Sequence, residues 1–278
     1  MHLLTIDYEE WFHIFGRNTH FDRTNWDKLH PMLPEITHQL LQVLNKHQSK
    51  ATFFCLGWVA QKYPYLIRDI QQAGHEIAAH SYWHQQVQKQ SLKAFSEDLK
   101  QNIITLEQLT GQKINAYRAP AFTLFPIEGY GQEELLRLGI AIDSSVLSGI
   151  NHTGLKIPNY PFRLQEDGLV YYPISTFGLL NRRIPYAGSG YFRLLPYHFI
   201  HEKLRKGAYH MLYFHPRDLD NRMIHRNEFS LSEKLRFNTN TKISMAKLEQ
   251  LLSHYPMNAI RQIHKSVFQN QLNNFRYP

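Results

Sequence analysis

The sequence predicts an α/β fold on a parallel sheet, from three observations. Short apolar runs alternate with amphipathic helical stretches in the order β-α-β-α-β-α-β-α-β, the pattern of parallel strands joined by crossover helices. The 278 residues suffice for one large domain with a substantial core, and they permit the sheet to close into a barrel. Polar residues follow the strand ends at Asp7, His80, Arg118 and Asp143. In a parallel barrel that rim carries the chemistry, and packing alone does not account for four such groups at four strand ends.

Each element has its own signal. Leu3 to Ile6 reads as a short buried strand that runs into Asp7, Glu9 and Glu10. Pro34 to His47 carries Ile36, Leu40, Val43 and Leu44 on one helical stripe. Ala51 to Leu56 is a second strand. Tyr65 to Ala73 reads as a helix with Gly74 as its stop. His75 to Ala79 is a third strand, which puts His80 and His84 just past its end. Ser91 caps a long helix bearing Leu92, Phe95, Leu99, Ile103, Leu106 and Leu109, closed by Gly111. Asn115 to Tyr117 is a strand ending at Arg118. A helix with Leu135, Leu136 and Leu138 leads through Gly139 to the strand Ile140 to Ile142, followed by Asp143.

From about residue 151 to 240 prolines punctuate short apolar pieces, an elaborated half-barrel or an insertion that shapes the substrate site. Thr241 to His254 returns to a helix. No linker composition divides the chain, so residues 1–278 read as one domain.

Composition bounds the function. A hydrophobic share of 43% with 19% charged residues fits a soluble globular protein, and no apolar run approaches a membrane span. Met1 to Ile6 shows no export leader. The single cysteine, Cys55, lies in an apolar run and reads as a buried small hydrophobe. Together these point to the cytoplasm. The net charge of +8 is dispersed, with no basic helix or nucleic-acid motif. It favours a phosphate-bearing or membrane-linked substrate over nucleic acid.

The chemistry centres on Gly74-His75-Glu76-Ile77-Ala78-Ala79-His80-Ser81-Tyr82-Trp83-His84. On a helical turn, residues four apart share a face, so His80 and His84 can grip one metal ion. A carboxylate from the first strand completes the set, which suggests a metal-assisted hydrolase. With 17 histidines in the chain, a pair at this spacing also arises by chance, and the surrounding motifs decide between the two.

Those motifs resemble the polysaccharide deacetylases, the NodB-homology group of carbohydrate esterases. Thr5-Ile6-Asp7-Tyr8-Glu9 resembles the first acidic motif. Ala51 to Phe54, Gly74 to Ile77 and His80 to His84 resemble the metal motif with its lead-in. Arg118-Ala119-Pro120-Ala121-Phe122, Asp143-Ser144-Ser145 and Leu212-Tyr213-Phe214-His215-Pro216 resemble the later motifs, in order. Gly188-Ser189-Gly190-Tyr191-Phe192-Arg193-Leu194-Leu195-Pro196-Tyr197 resembles the signature of an exopolysaccharide-cluster subgroup with an extra C-terminal region.

The resemblance implies a distorted (β/α) barrel of about seven parallel strands. It implies metal-dependent hydrolysis of an N-acetyl group on an amino sugar; the positive charge and the expected cytoplasmic location suit a lipid-linked glycan or a nucleotide sugar as well as a glycan. The cofactor implied is a divalent metal, Zn first, with Co, Ni or Mn as alternatives. No membrane span is needed; peripheral contact with a lipid-linked substrate is compatible. The family's common motif has two adjacent aspartates, a base and then a ligand. Here Tyr8 takes the second place. The expectation is that Glu9 joins His80 and His84 as metal ligands, reaching from an extended strand; the reverse, with Asp7 on the metal, stays open.

Asp7 is then the base and His215 the acid. Arg118 would hold Asp7 ionised, and Asp143 would orient His215 or line the rim. The Ala121 N–H would donate to the oxyanion, and Trp83, Tyr191 and Tyr197 would stack on sugar. Two alternatives stand beside this reading. One is a deformylase or other small-amide hydrolase of the same fold. The other is a catalytically silent carbohydrate-binding relative, which the missing second aspartate favours.

Overall fold

The computed structural model describes residues 1–14, 22–124, 131–150, 156–163, 168–179, 182–222 and 231–264. The first half follows the expected alternation: β1 (His2–Tyr8), α1 (Leu33–Lys46), β2 (Thr52–Cys55), α2 (Gly57–Lys62), α3 (Pro64–Gln72), β3 (Glu76–Ala79), α4 (Leu92–Thr110), β4 (Ala116–Tyr117), α5 (Gly131–Arg137) and β5 (Ile142–Asp143). Ser91 caps α4 by accepting from Ala94 N–H at 3.2 Å, and Gly111 ends it in the left-handed conformation that a side chain resists. The cap of α1 is less local. The Glu10 carboxylate accepts from the N–H groups of Met32 and Leu33 at 2.9 to 3.1 Å. It places negative charge where the helix leaves its amides unpaired.

The second half is built from short pieces: β6 (Gly149–Ile150), β7 (Lys156–Ile157), β8 (Phe162–Arg163), β9 (Val170–Tyr171), β10 (Phe177–Leu179), β11 (Arg182–Ile184), α6 (Ser189–Leu194), α7 (Tyr197–Arg205), β12 (His210–Phe214), α8 (Leu231–Asn238) and α9 (Thr241–His254). The main sheet runs β12-β1-β2-β3-β4-β5-β9-β8. Seven of these strands pair in parallel and β8 pairs antiparallel to β9. The elaborated region therefore supplies two of the parallel strands, β9 and β12. The pairs β6–β7 and β10–β11 form two small separate sheets.

The sheet curls until its ends meet without a ladder. Ser175 N–H donates to Met211 C=O at 3.4 Å, Met211 N–H to Ser175 Oγ at 2.9 Å, and Tyr209 Oη to Pro173 C=O at 2.8 Å. The barrel is distorted at this seam. Alternate residues of its parallel strands, Leu3, Phe54, Ala78, Ala116, Ile142, Val170 and Met211, form one buried cluster inside it. The opposite faces of the strands pack against the helices in a second, larger core. Below, the segment after α9 plugs the barrel: Ile260 N–H donates to Thr52 Oγ1 and Arg261 N–H to Glu76 Oε2, both at 2.9 Å. The site is left to the opposite rim. No helix among the described residues is long and apolar enough to cross a membrane.

Candidate metal centre and hydrolytic site

Five of the seven parallel strands, β1, β3, β4, β5 and β12, carry polar groups at the open rim. β1 ends at Tyr8, whose ring is buried and whose hydroxyl lies 2.6 Å from Thr37 Oγ1. The chain then turns rather than running on: Glu9 N–H donates to Asp7 C=O at 3.1 Å. The turn, not an extended strand as expected, brings the Glu9 carboxylate over the barrel. Glu9 and Glu10 are both buried, so neither is a solvated strand end.

Among the described residues, Glu9, His80 and His84 form the one group whose possible ligand atoms all lie within 4.8 Å of one another. Glu9 Oε2 is 2.7 Å from His84 Nε2, and Arg217 Nη1 donates to Glu9 Oε1 at 2.8 Å. Oε2 is buried yet takes no aligned hydrogen bond. A buried carboxylate oxygen and a ring nitrogen this close suit a shared third partner. His80 Nδ1 lies 2.7 Å from the Arg118 carbonyl, which fixes the proton on Nδ1 and leaves Nε2 as the lone-pair nitrogen. Burial pushes His80 down to about 4, against the pull of Asp7 and Glu9, so the ring is neutral at neutral pH. Neutral imidazoles and an ionised carboxylate are the forms that bind a divalent ion, and the two-nitrogen, one-oxygen set suits Zn²⁺ or a similar ion with positions to spare.

The histidines do not sit on a helical turn. Ser81 and His84 adopt positive φ values of 72° and 55°. The reason is α4: Asp98 accepts from Tyr82 N–H at 2.8 Å and from Trp83 N–H at 3.0 Å. Amides that a helix would use internally go to this carboxylate instead. One turn further along α4, Asn102 accepts from His80 N–H and donates to Cys55 C=O, both at 3.1 Å.

Asp7 stands beside the cluster rather than in it. Arg118 Nη1 donates to its Oδ1 at 2.6 Å from a fully buried guanidinium, which also bonds Ser144 C=O and Ser144 Oγ. Burial alone would raise Asp7, but Arg118, His80 and His215 outweigh it and hold the carboxyl below its usual range. Burial likewise opposes ionisation of Glu9, yet His84 and Arg217 pull it well below the ordinary value.

His215 follows β12 and closes the site. Its Nε2 is 3.8 Å from Asp7 Oδ2 and 3.6 Å from Glu9 Oε1. Its Nδ1 is 3.3 Å from Asp218 Oδ2, which also accepts the His215 N–H at 3.0 Å. Asp218, held down to about 2 because His215, Arg193 and Arg217 outweigh its burial, is the group that orients His215. Asp143 does not take that role. Its Oδ1 accepts from Ser145 N–H and Ser145 Oγ, and Ser145 Oγ in turn accepts from Ala119 N–H at 2.8 Å. Asp143 thus braces the Arg118–Ala119 turn from below.

Ala121 and Phe122 adopt positive φ values of 53° and 55° in that turn. Trp83 is half-buried, with the Arg23 guanidinium 4.7 Å from its ring centre and Trp26 behind it. Tyr191 is exposed at the rim, two residues from Ser189, whose Oγ is 3.3 Å from His215 Nδ1. Tyr197 is placed elsewhere. Its ring stacks on His201 and its hydroxyl meets His254, in a histidine cluster that reaches His2 at the start of β1. An aromatic residue of the signature segment reads alike whether it faces sugar or packs one helix on another.

Arg217, Asp218, Asp98 and Asn102 were not legible as site residues, though two left signals. His215 and Asp218 have the spacing of a capping box, and Asp98 and Asn102 are polar residues on the buried stripe of α4.

With the geometry described, comparison with known proteins is direct. Residues 20–124 match the family model for polysaccharide deacetylase, and residues 144–265 match a domain of unknown function (DUF3473). A peptidoglycan-N-acetylglucosamine deacetylase of Bacillus cereus is 33% identical over 86 residues, 31% of this chain and 31% of that protein. A chitooligosaccharide deacetylase of Azorhizobium caulinodans is 30% identical over 88 residues, 31% of this chain and 42% of that one. The match thus spans well under half the length of these curated relatives. Two solved structures share the fold. A Mycobacterium smegmatis protein assigned to the polysaccharide deacetylases has a TM-score of 0.65 at 18% identity, covering 99% of this chain and 93% of its own. Peptidoglycan deacetylase PdaC of Bacillus subtilis has a TM-score of 0.51 at 15% identity, covering 97% and 92%.

Proposed function

We propose that this chain, which carries a polysaccharide deacetylase domain, hydrolyses the N-acetyl group of an amino sugar in a glycan. The observation that carries the reading is the convergence of Glu9, His80 and His84, with Asp7 and His215 beside them. The deacetylases named among its relatives support an N-acetylated sugar as the substrate class.

Glu9 Oε2, His80 Nε2 and His84 Nε2 would hold a divalent ion, Zn²⁺ first among candidates. When bound, that ion supplies Lewis-acid polarisation and makes water acidic enough to react near neutral pH. The rest falls to the chain. Asp7, kept ionised by Arg118, accepts the proton that water loses as its oxygen bonds to the acyl carbon. With Nδ1–H held by Asp218, the ring proton on His215 Nε2 passes to the amine nitrogen as the C–N bond breaks. The products are acetate and the free amine. The Ala121 turn faces the developing oxyanion, and Trp83 and Tyr191 flank the sugar. Tyr8, where the common motif has a second aspartate, is a core residue, and Glu9 takes over the ligand position.

The test is acetate release from N-acetylglucosamine oligosaccharides and from peptidoglycan fragments with Zn²⁺ or Co²⁺ added. Turnover that yields acetate and one free amine per cleavage supports the reading. Formate release from N-formyl analogues with none from N-acetyl ones would move it to a deformylase.

A further inference from the structure

The segment Gly188-Ser189-Gly190-Tyr191-Phe192-Arg193 adds nothing to the ligand cluster, yet two of its residues, Ser189 and Arg193, converge on the groups behind His215. The segment lies against β12: Tyr213 N–H donates to Ala187 C=O at 3.2 Å. Only glycine fits at 188, since a Cβ there would stand 2.1 Å from Tyr213 Cε1. Ser189 then turns through a φ of 46°, and its Oγ reaches 3.3 Å from His215 Nδ1 and 3.5 Å from Asp218 Oδ1.

Arg193 is 6% exposed, and its Nε lies 3.4 Å from Asp218 Oδ1. Its Nη1 donates to Phe237 C=O at 2.7 Å and to Thr239 C=O at 3.0 Å. Asn240 Nδ2 returns a bond to Arg193 C=O at 2.9 Å. One guanidinium therefore ties the buried Asp218 to the turn between α8 and α9. A carboxylate this deep needs such a charge, because an unpaired one is costly to bury.

We propose that Arg193, with Ser189, is a positioning residue for the proton-donating step. It fixes Asp218, which fixes the His215 ring, and its bonds to Phe237 and Thr239 make that step depend on the docked α8–α9 turn. This gives the α8–α9 turn, which touches neither the ligand cluster nor His215, a part in the reaction. The inference rests on reading His215 as the acid.

Substrates with different leaving groups separate the two claims. An amide of a sugar amine needs a proton to leave, whereas the phenolate of 4-nitrophenyl acetate departs without one. The experiment compares wild type, Arg193→Met, Arg193→Lys, Ser189→Ala and His215→Ala, each as the full chain loaded with Zn²⁺. Arg193→Met should lower kcat on an N-acetylglucosamine oligosaccharide by about 100-fold or more with KM little changed, while ester hydrolysis stays within about threefold. Arg193→Lys should recover part of the loss. The milder Ser189→Ala should lower the amide rate alone and serves if Arg193→Met does not fold. Equal losses on amide and ester in every folded variant, or no loss on either, would overturn the proposal. If His215→Ala itself shows no preference for the ester, the acid assignment fails. If His215→Ala shows it and the Arg193 and Ser189 variants do not, the positioning claim fails alone.

Discussion

Glu9 Oε2 lies 2.7 Å from His84 Nε2, and both side chains are buried, at 1% and 7% exposure. The carboxylate oxygen nevertheless takes no aligned hydrogen bond. A buried acceptor left this way costs about 1–3 kcal/mol or more unless something else occupies its lone pair. On the proposed reading, a cation shared with the neighbouring nitrogens of His84 and His80 does so.

The loop that carries His84 depends on Asp98. Its carboxylate takes two backbone amides that would otherwise pull the segment toward a helical turn. Asp98→Ala should weaken Zn²⁺ binding by roughly 10- to 100-fold while the chain stays folded, and Asp98→Asn should fall between. Isothermal titration with Zn²⁺ checks this; an unchanged affinity in Asp98→Ala would separate the loop from the metal.

Asp143 makes stability depend on pH. Burial raises it to about 7, against the bonds from Ser145 and the charge of Arg118, and its Oδ2 is buried without a hydrogen-bond partner. The folded value exceeds the unfolded one of about 3.9, so the folded state holds this proton more tightly. The contribution is fully present below about pH 4 and is lost as pH rises to about 7. Wild type should therefore lose up to about 4 kcal/mol more than Asp143→Asn across that window. Urea denaturation at both ends of the window measures it, and parallel behaviour of the two proteins would contradict the account.

Glu10 holds the start of α1 from a distance in sequence. Glu10→Ala leaves two buried amides uncapped and should cost about 2 kcal/mol or more. Chemical denaturation with a fall below about 0.5 kcal/mol would show that the cap is replaceable.

The barrel was legible because each strand is an apolar run flanked by helices whose buried stripes have the right period. Ile36, Leu40 and Leu44 all face the core, as do Phe95, Leu99 and Leu106. The rim was legible at Asp7, His80, Arg118 and His215 because polar residues directly after buried strands have few other places to go. What stayed hidden depends on long-range pairing. Asp218 reads as a turn residue, Asp98 and Asn102 as flaws in a stripe, and Arg193 as one cation among many, until the fold brings each to its partner. Tyr197 and Asp143 misled for the same reason. Their neighbours in sequence point to the site, whereas their hydrogen bonds go to His254 and Ser145. The turn at Glu9 and the positive φ values at Ser81 and His84 are set by captured amides that no local pattern encodes.

The central claim is that Glu9, and not Asp7, completes the metal site. Inductively coupled plasma mass spectrometry on the purified full chain after Zn²⁺ loading and desalting tests it, with wild type beside Glu9→Gln and Asp7→Asn. The account predicts about one ion per chain in wild type and in Asp7→Asn, and a small fraction of that in Glu9→Gln. Metal retained by Glu9→Gln and lost from Asp7→Asn would contradict it.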